Sequence, residues 1–137
     1  SAHAPRSAEE KAVEFVYAPF GVVGLETLFA ASYTSLVEKH GFELLEVLAK
    51  LTINPARLLG LEAERGGLSP GKLADVAVFD IQTDRVIDPE GFESKGRNSC
   101  FGGLTMRGST IHTFVAGRQV VSEGRVLGPS EETVAEH

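Results

Sequence analysis

Four histidines, His3, His40, His112 and His137, and one cysteine, Cys100, are the side chains of this 137-residue chain best able to bind a metal or act as a nucleophile. Their spacing assembles neither device. No pair stands in an HxH, HExxH or CxxC arrangement, so the chain by itself offers no metal site of those kinds. His40 lies between Lys39 and Gly41, where a positive charge complements a helix C-terminus. His112 falls in an alternating stretch and reads as an exposed strand residue, and His137 is terminal. Cys100 sits in the run Asn98-Ser99-Cys100-Phe101-Gly102-Gly103 with no base beside it, and a thiol without a base or a lowered pKa is inert. Gly66-Gly67 and Gly102-Gly103 lack the GxGxxG or GxxxxGKS/T context of a phosphate loop and read as turns.

Composition narrows the function classes. Nineteen acidic residues against thirteen basic ones give a net charge of -6, with no positive patch of the kind phosphate binding needs, which argues against nucleic acid as a partner. One cysteine cannot form an internal disulfide, so a reducing, cytoplasmic setting is expected. No apolar stretch approaches the roughly 18–20 residues of a membrane span, and Ser1 to Glu10 has no charged-then-apolar signal pattern. A complete (β/α)8 barrel takes about 250 residues. Any relationship to such a barrel therefore leaves this chain holding only part of one.

Three stretches must position whatever chemistry is present. From Ser1 to Gly24 the sequence mixes polar residues with Pro5, Pro19, Gly21 and Gly24. Ser7 and Glu10 form a capping-box pattern that predicts a short helix over Ala8 to Phe15, and Pro19-Phe20-Gly21 ends regular structure. Ala2 to Arg6, taken alone, reads as flexible. From Leu25 to Leu61 the spacing predicts three helices: Leu25 to Gly41, Leu44 to Leu51, and a short one with Asn54 as cap, Pro55 at its first position and Gly60 at its end. From Gly66 onward the texture is that of strands. Ala74 to Ile81 is nearly continuous in apolar character and predicts burial on both faces. Ser109 to Ala116 alternates, Gly117-Arg118 is a turn, and Gln119 to Ser122 returns as a hairpin. Asp88 to Gly103 is a long polar connection, and the acidic tail after Leu127 reads as loose. Three strands with uncovered edges are awkward for a small α+β domain and suit a piece of a larger protein.

The opening segments carry a resemblance. Ser1-Ala2-His3-Ala4-Pro5-Arg6-Ser7-Ala8-Glu9-Glu10-Lys11, followed by Pro19-Phe20-Gly21-Val22-Val23-Gly24-Leu25-Glu26-Thr27, resembles type I dihydroorotase of the amidohydrolase superfamily. There the first segment reads Thr/Ser-Asp-His-Ala-Pro-His, then Ser/Thr-x-Glu-Glu-Lys, and the second reads Pro-Phe-Gly-x-x-Gly-Leu-Glu-Thr. The likeness continues through Leu51 to Leu61, Gly67 to Asp80 and Val115 to Val121, nearly the whole chain. The last two motifs are shared across much of the superfamily, whereas the pairing of the first two is the more specific.

The resemblance implies a parent with a metal-dependent TIM barrel and a small β-sandwich. This chain would hold the last barrel loop and closing helices in residues 1–61, later sandwich strands in 62–127, and a loose tail in 128–137. It implies two divalent metals, usually zinc, held by residues of earlier barrel strands and activating water for attack on a cyclic amide in pyrimidine biosynthesis. The family's aspartate, metal ligand and general base, falls at Ala2, which can do neither. Its substrate-binding histidine falls at Arg6, which can still hold a carboxylate. Phe20 and Gly21 match its substrate-contacting pair. The expectation is thus a small-molecule substrate for the parent, no metal bound by this chain, and no activity of this chain alone. Two other readings stand beside it. One is a non-catalytic scaffold for aspartate transcarbamoylase. The other is a dihydropyrimidinase, hydantoinase or allantoinase relative. Separately, the exposed sandwich edges suit self-association.

Overall fold

In the computed structural model, which describes residues 3–128 and 133–134, the helices come first and the strands last. Helix α1 spans Ala8–Lys11, with the capping box complete: Ser7 Oγ accepts from the Glu10 amide and the Glu10 carboxylate accepts from the Ser7 amide. It stops after one turn, well short of Phe15. Leu25 to Thr27 are turn, and α2 (Leu28–Ser32) runs directly into a π-helical segment, Tyr33–Lys39. Gly41 ends it in the left-handed conformation (φ 69°), as the sequence predicts. Helix α3 (Leu44–Leu51) buries Val47. Helix α4 (Ile53–Leu58) starts two residues ahead of the position read from Pro55, with Thr52 as its cap residue.

Among the described residues the strands number seven, not three. They are β1 (Val76–Asp80), β2 (Arg85–Val86), β3 (Thr105–Met106), β4 (Ser109–Val115), β5 (Arg118–Ser122), β6 (Arg125–Val126) and β7 (Thr133–Val134). One antiparallel sheet has the order β1-β4-β5-β6, with β7 sharing the outer edge of β5, and β2 pairs β3 as a separate ribbon. The ribbon closes over the Asp88 to Gly103 connection, which contains a 3-10 turn at Pro89–Gly91. Two-residue strands carry no period, so β2 and β3 are invisible in the sequence. The tail expected to be loose lies mostly outside the described residues, but its described part, β7, is paired.

Two details fix the sheet against the helices. The register between β1 and β4 slips at Val78/Phe79, leaving Ile111 bulged. Beyond the bulge the Phe79 ring stacks on Phe29 of α2, with centroids 3.8 Å apart. Arg107 then ties the ribbon to the π-helical segment: Nε donates to Asp84 (2.7 Å) and Nη1 to Glu38 (3.0 Å), while its backbone amide donates to Thr34 Oγ1 (3.0 Å).

The hairpin turn is Ala116-Gly117, both at positive φ (49° and 79°), a type I′ turn one residue earlier than the spacing predicts. Alanine is poorly suited to that conformation and asparagine well suited. Ala116→Asn is expected to stabilise the fold by about 0.5–1 kcal/mol, because the amide bond from Ala116 to Asp75 Oδ1 (2.8 Å) is backbone and survives. A rise in the thermal midpoint checks it.

Little of the apolar surface is enclosed. Among the described residues the buried apolar side chains are Val23, Ala30, Val47, Ala56 and Met106. The accessible surface is 9555 Å², whereas a compact monomer of 14.6 kDa exposes about 6,900 Å². Ala77 and Val78 are exposed, so β1 is not covered on both faces as its composition predicts. A groove of about 800 Å³ runs along the sheet beside Arg85, Met106, Ser109 and Ile111. The Ser109 hydroxyl there is buried without a hydrogen-bond partner among the described residues. Phe15, Val16, Tyr17 and Phe20 form a run of exposed apolar side chains, Phe15 at 94%. Surface of this kind is ordinarily covered.

Candidate functional site

The motif segments are brought together by backbone hydrogen bonds. The Ala4 amide donates to the Val22 carbonyl (2.9 Å), laying residues 3–6 alongside the Pro19–Gly24 loop. His3 Nδ1 lies 3.3 Å and 3.5 Å from the amides of Gly24 and Leu25 and accepts from them at the entry to α2. Residues 3–6 are therefore held, and the flexibility expected for this stretch is corrected. The physical reason is tertiary: no local motif in Ala4-Pro5-Arg6 orders it, but two other segments, Val22 to Leu25 and Asn98, hydrogen-bond to residues 3–6. Ala2 lies outside the described residues.

Gly21 lets this happen. Its φ is 102°, and a Cβ there would stand 2.4 Å from Ala4 Cβ, so only glycine permits the close approach. Its carbonyl is gripped from two sides, by Lys11 Nζ (3.2 Å) and Asn98 Nδ2 (3.2 Å). Lys11 Nζ also donates to the Pro19 carbonyl (2.9 Å). The amides of Phe20 and Gly21, by contrast, take no partner among the described residues. Phe20 is itself 95% exposed.

Arg6 is exposed at the same place. Its backbone amide donates to Asn98 Oδ1 (3.0 Å). Its guanidinium has one loose ion pair, to Glu10 at 3.7 Å, with both side chains near half exposure. That leaves planar donors free for an external carboxylate. Hydrogen bonds from its own amide and then from the Ser7 hydroxyl hold the neighbouring Glu9 carboxyl below its ordinary pKa.

The structure thus brings Arg6, Phe20 and Gly21 together. Sequence reading missed the residues that hold them there. Lys11 stands inside the quoted motif but its contact is not readable from spacing. Asn98 acts across 77 and 94 residues and carries no local signal. Elsewhere, Cys100 is exposed and free. His40 is exposed where the π-helical segment ends. His112 is half-buried rather than exposed, its Nδ1 3.2 Å from Gln119 Nε2, because β5 lies against it. His137 lies outside the described residues. No group of three or more His, Cys, Asp or Glu converges among the described residues, and His3 Nδ1 is engaged by backbone. The described residues do not make a metal centre, and no step through a metal is assigned to them.

The chain matches the amidohydrolase family over residues 19–120. It is similar to the dihydroorotase of Bacillus caldolyticus, 47% identical over 123 residues, covering 90% of this chain and 28% of that protein. The dihydroorotase of Bacillus subtilis (strain 168) is 40% identical over 125 residues, covering 91% and 29%. Among solved structures, the L-hydantoinase (dihydropyrimidinase) of Arthrobacter aurescens superposes with a TM-score of 0.79 at 30% identity, covering 87% and 26%. The D-hydantoinase (dihydropyrimidinase) of a Thermus species gives 0.84 at 24% identity, covering 92% and 28%, which is a likeness of fold. The chain spans a little over a quarter of the length of these relatives. No described helix is long and apolar enough to cross a membrane.

Proposed function

Since the chain belongs to the amidohydrolase family, we propose that it forms the C-terminal part of a dihydroorotase-like cyclic amide hydrolase and carries that enzyme's anchor for the substrate carboxylate. One observation carries the reading. Two motifs separated in sequence, Ala4 to Arg6 and Pro19 to Val23, are bonded side by side, with a guanidinium only loosely paired to Glu10 on one and, among the described residues, unpaired amides on the other. Such a pair suits a ring amide bearing a carboxylate: Arg6 takes the carboxylate, and the Phe20 and Gly21 backbone meets the ring. Identity favours this over the hydantoinase reading, because the dihydroorotases reach 40–47% against 30% for the hydantoinase of Arthrobacter aurescens.

In this reading residues 1–61 are the closing loop and helices of a TIM barrel and 62–127 are sandwich strands, with 128–137 a tail. The remainder of the polypeptide covers the exposed Phe15 to Phe20 run, the open face of β1 and the groove holding the Ser109 hydroxyl. It also supplies the divalent metals, zinc by family habit, that would activate water. The chain alone then turns over nothing. A non-catalytic homologue, acting as a scaffold for a partner such as aspartate transcarbamoylase, is the second reading, favoured by alanine at position 2 and arginine at position 6.

Arg6→Met in the complete protein tests the carboxylate anchor. A bidentate charge-assisted pair contributes about 1.5–3 kcal/mol, so affinity for dihydroorotate is expected to fall by about 10–150-fold. Affinity for dihydrouracil, the same ring without the carboxylate, is expected to hold within a few-fold. Equal losses for both in calorimetric titration would remove the anchor role.

A further inference from the structure

We propose that Asn98 is the positioning residue that fixes the distance between the carboxylate anchor and the ring-contacting loop. The inference rests on the substrate reading above and deepens it. The hydrogen bonds of Asn98 to the site all go to backbone. Its amide bonds to three backbone groups on two segments: Nδ2 donates to the carbonyls of Ala4 (3.0 Å) and Gly21 (3.2 Å), and Oδ1 accepts from the amide of Arg6 (3.0 Å). Its own carbonyl accepts from the Val23 amide (3.3 Å). The partners settle the amide's orientation, because two carbonyls face one end and an N–H faces the other.

No other short side chain reproduces this set. Aspartate keeps the acceptor but sets a carboxylate against two carbonyl oxygens. Leucine has the shape and none of the bonds. The segment bearing Asn98 is itself fixed at both ends of its approach. A Cβ on Gly96 would stand 2.6 Å from Pro5 Cβ and 2.9 Å from Val23 Cγ1, so the connection at Gly96 lies directly against both site segments. Upstream, the Glu26 carboxylate accepts from the amides of Glu93 (2.9 Å) and Ser94 (3.1 Å), tying the connection to the start of α2. A long polar connection thereby reaches across the molecule and, beside the direct Ala4–Val22 bond, braces the two site segments through one side chain. Preorganisation of this sort governs ligands that use both anchors at once and is nearly silent for those that use one.

That asymmetry is the test. In the complete protein, dihydroorotate and dihydrouracil are titrated calorimetrically against wild type, Asn98→Ala and Asn98→Asp, with Asn98→Ser as the milder variant should the first two fold poorly. Misplacement by about 1 Å can cost 10²-fold, so dihydroorotate affinity is expected to fall by about that factor. Dihydrouracil affinity should change no more than a few-fold, which also shows that the variant is folded. Amide exchange at Arg6 and Val23 should accelerate in Asn98→Ala. Equal weakening toward both ligands would make Asn98 merely structural, and unchanged dihydroorotate affinity would remove the role altogether. Wild type that binds dihydrouracil but not dihydroorotate would instead overturn the substrate reading, and this inference with it, a pattern separable from failure at Asn98 alone.

Discussion

Restoring aspartate at position 2 of the complete protein is expected to raise dihydroorotate turnover by about 10²–10⁴-fold, the range a positioned general acid–base group contributes. The resemblance puts the family's proton-transferring, metal-binding aspartate at Ala2, four residues before Arg6. A methyl group can neither hold a cation nor carry a proton. His3 and Ala4, the residues that follow, are held by Gly24, Leu25 and Val22. An aspartate introduced at position 2 is joined directly to this held segment. Steady-state assay of Ala2→Asp against the unaltered protein checks this. A variant as inactive as its parent, with dihydroorotate still bound, would favour the scaffold reading, since the rest of the machinery would then be missing as well.

Gly21→Ala is expected to be the most damaging single methyl group in the site. At φ 102° the new Cβ stands 2.4 Å from Ala4 Cβ, and Ala4 has no rotamer through which to withdraw. Either the loop or residues 3–6 must move, against the Ala4–Val22 bond and the grip of Lys11 and Asn98 on the Gly21 carbonyl. Backbone strain and overpacking each cost about 1–3 kcal/mol, so a loss of about 2–4 kcal/mol is expected, read from the denaturant midpoint. Because the displaced unit bears the unpaired amide, dihydroorotate affinity should fall in the same variant by more than tenfold. Gly60→Ala is the control: a Cβ there meets nothing within 4 Å, so it reports the backbone contribution alone. Equal destabilisation by the two would mean that contact with Ala4 does not matter.

What the sequence makes legible here is local. The Ser7–Glu10 capping box, the stop at Gly41, α3 and the β4–β5 hairpin all depend on residues within a few positions of one another, and each is present. What it conceals is long-range or borrowed. The Leu25 to Gly41 periodicity reads as one regular helix, yet Leu25 to Thr27 form a turn with Thr27 buried, and the stretch after Ser32 is π-helical. There Thr34 bonds to the backbone of Arg107, a partner no helical spacing announces. The apolar run of β1 reads as buried on both faces, while Val78 is 41% exposed. Composition reports the environment in which a strand is meant to sit, and in the reading proposed above part of that environment comes from the rest of the polypeptide. The site follows the same division. Arg6, Phe20 and Gly21 are identifiable from motif, whereas Lys11, Asn98 and Glu26 work through contacts with distant backbone that only the fold supplies.

Metal content and dihydroorotate turnover, measured side by side on this chain alone and on the complete protein carrying Ala2→Asp, test the proposed function most directly. Divalent metal and interconversion of dihydroorotate with N-carbamoyl-aspartate are expected in the complete protein, and neither in the isolated chain. Turnover by the isolated chain, or a complete protein that takes hydantoin or dihydrouracil in preference to dihydroorotate, would contradict the proposal.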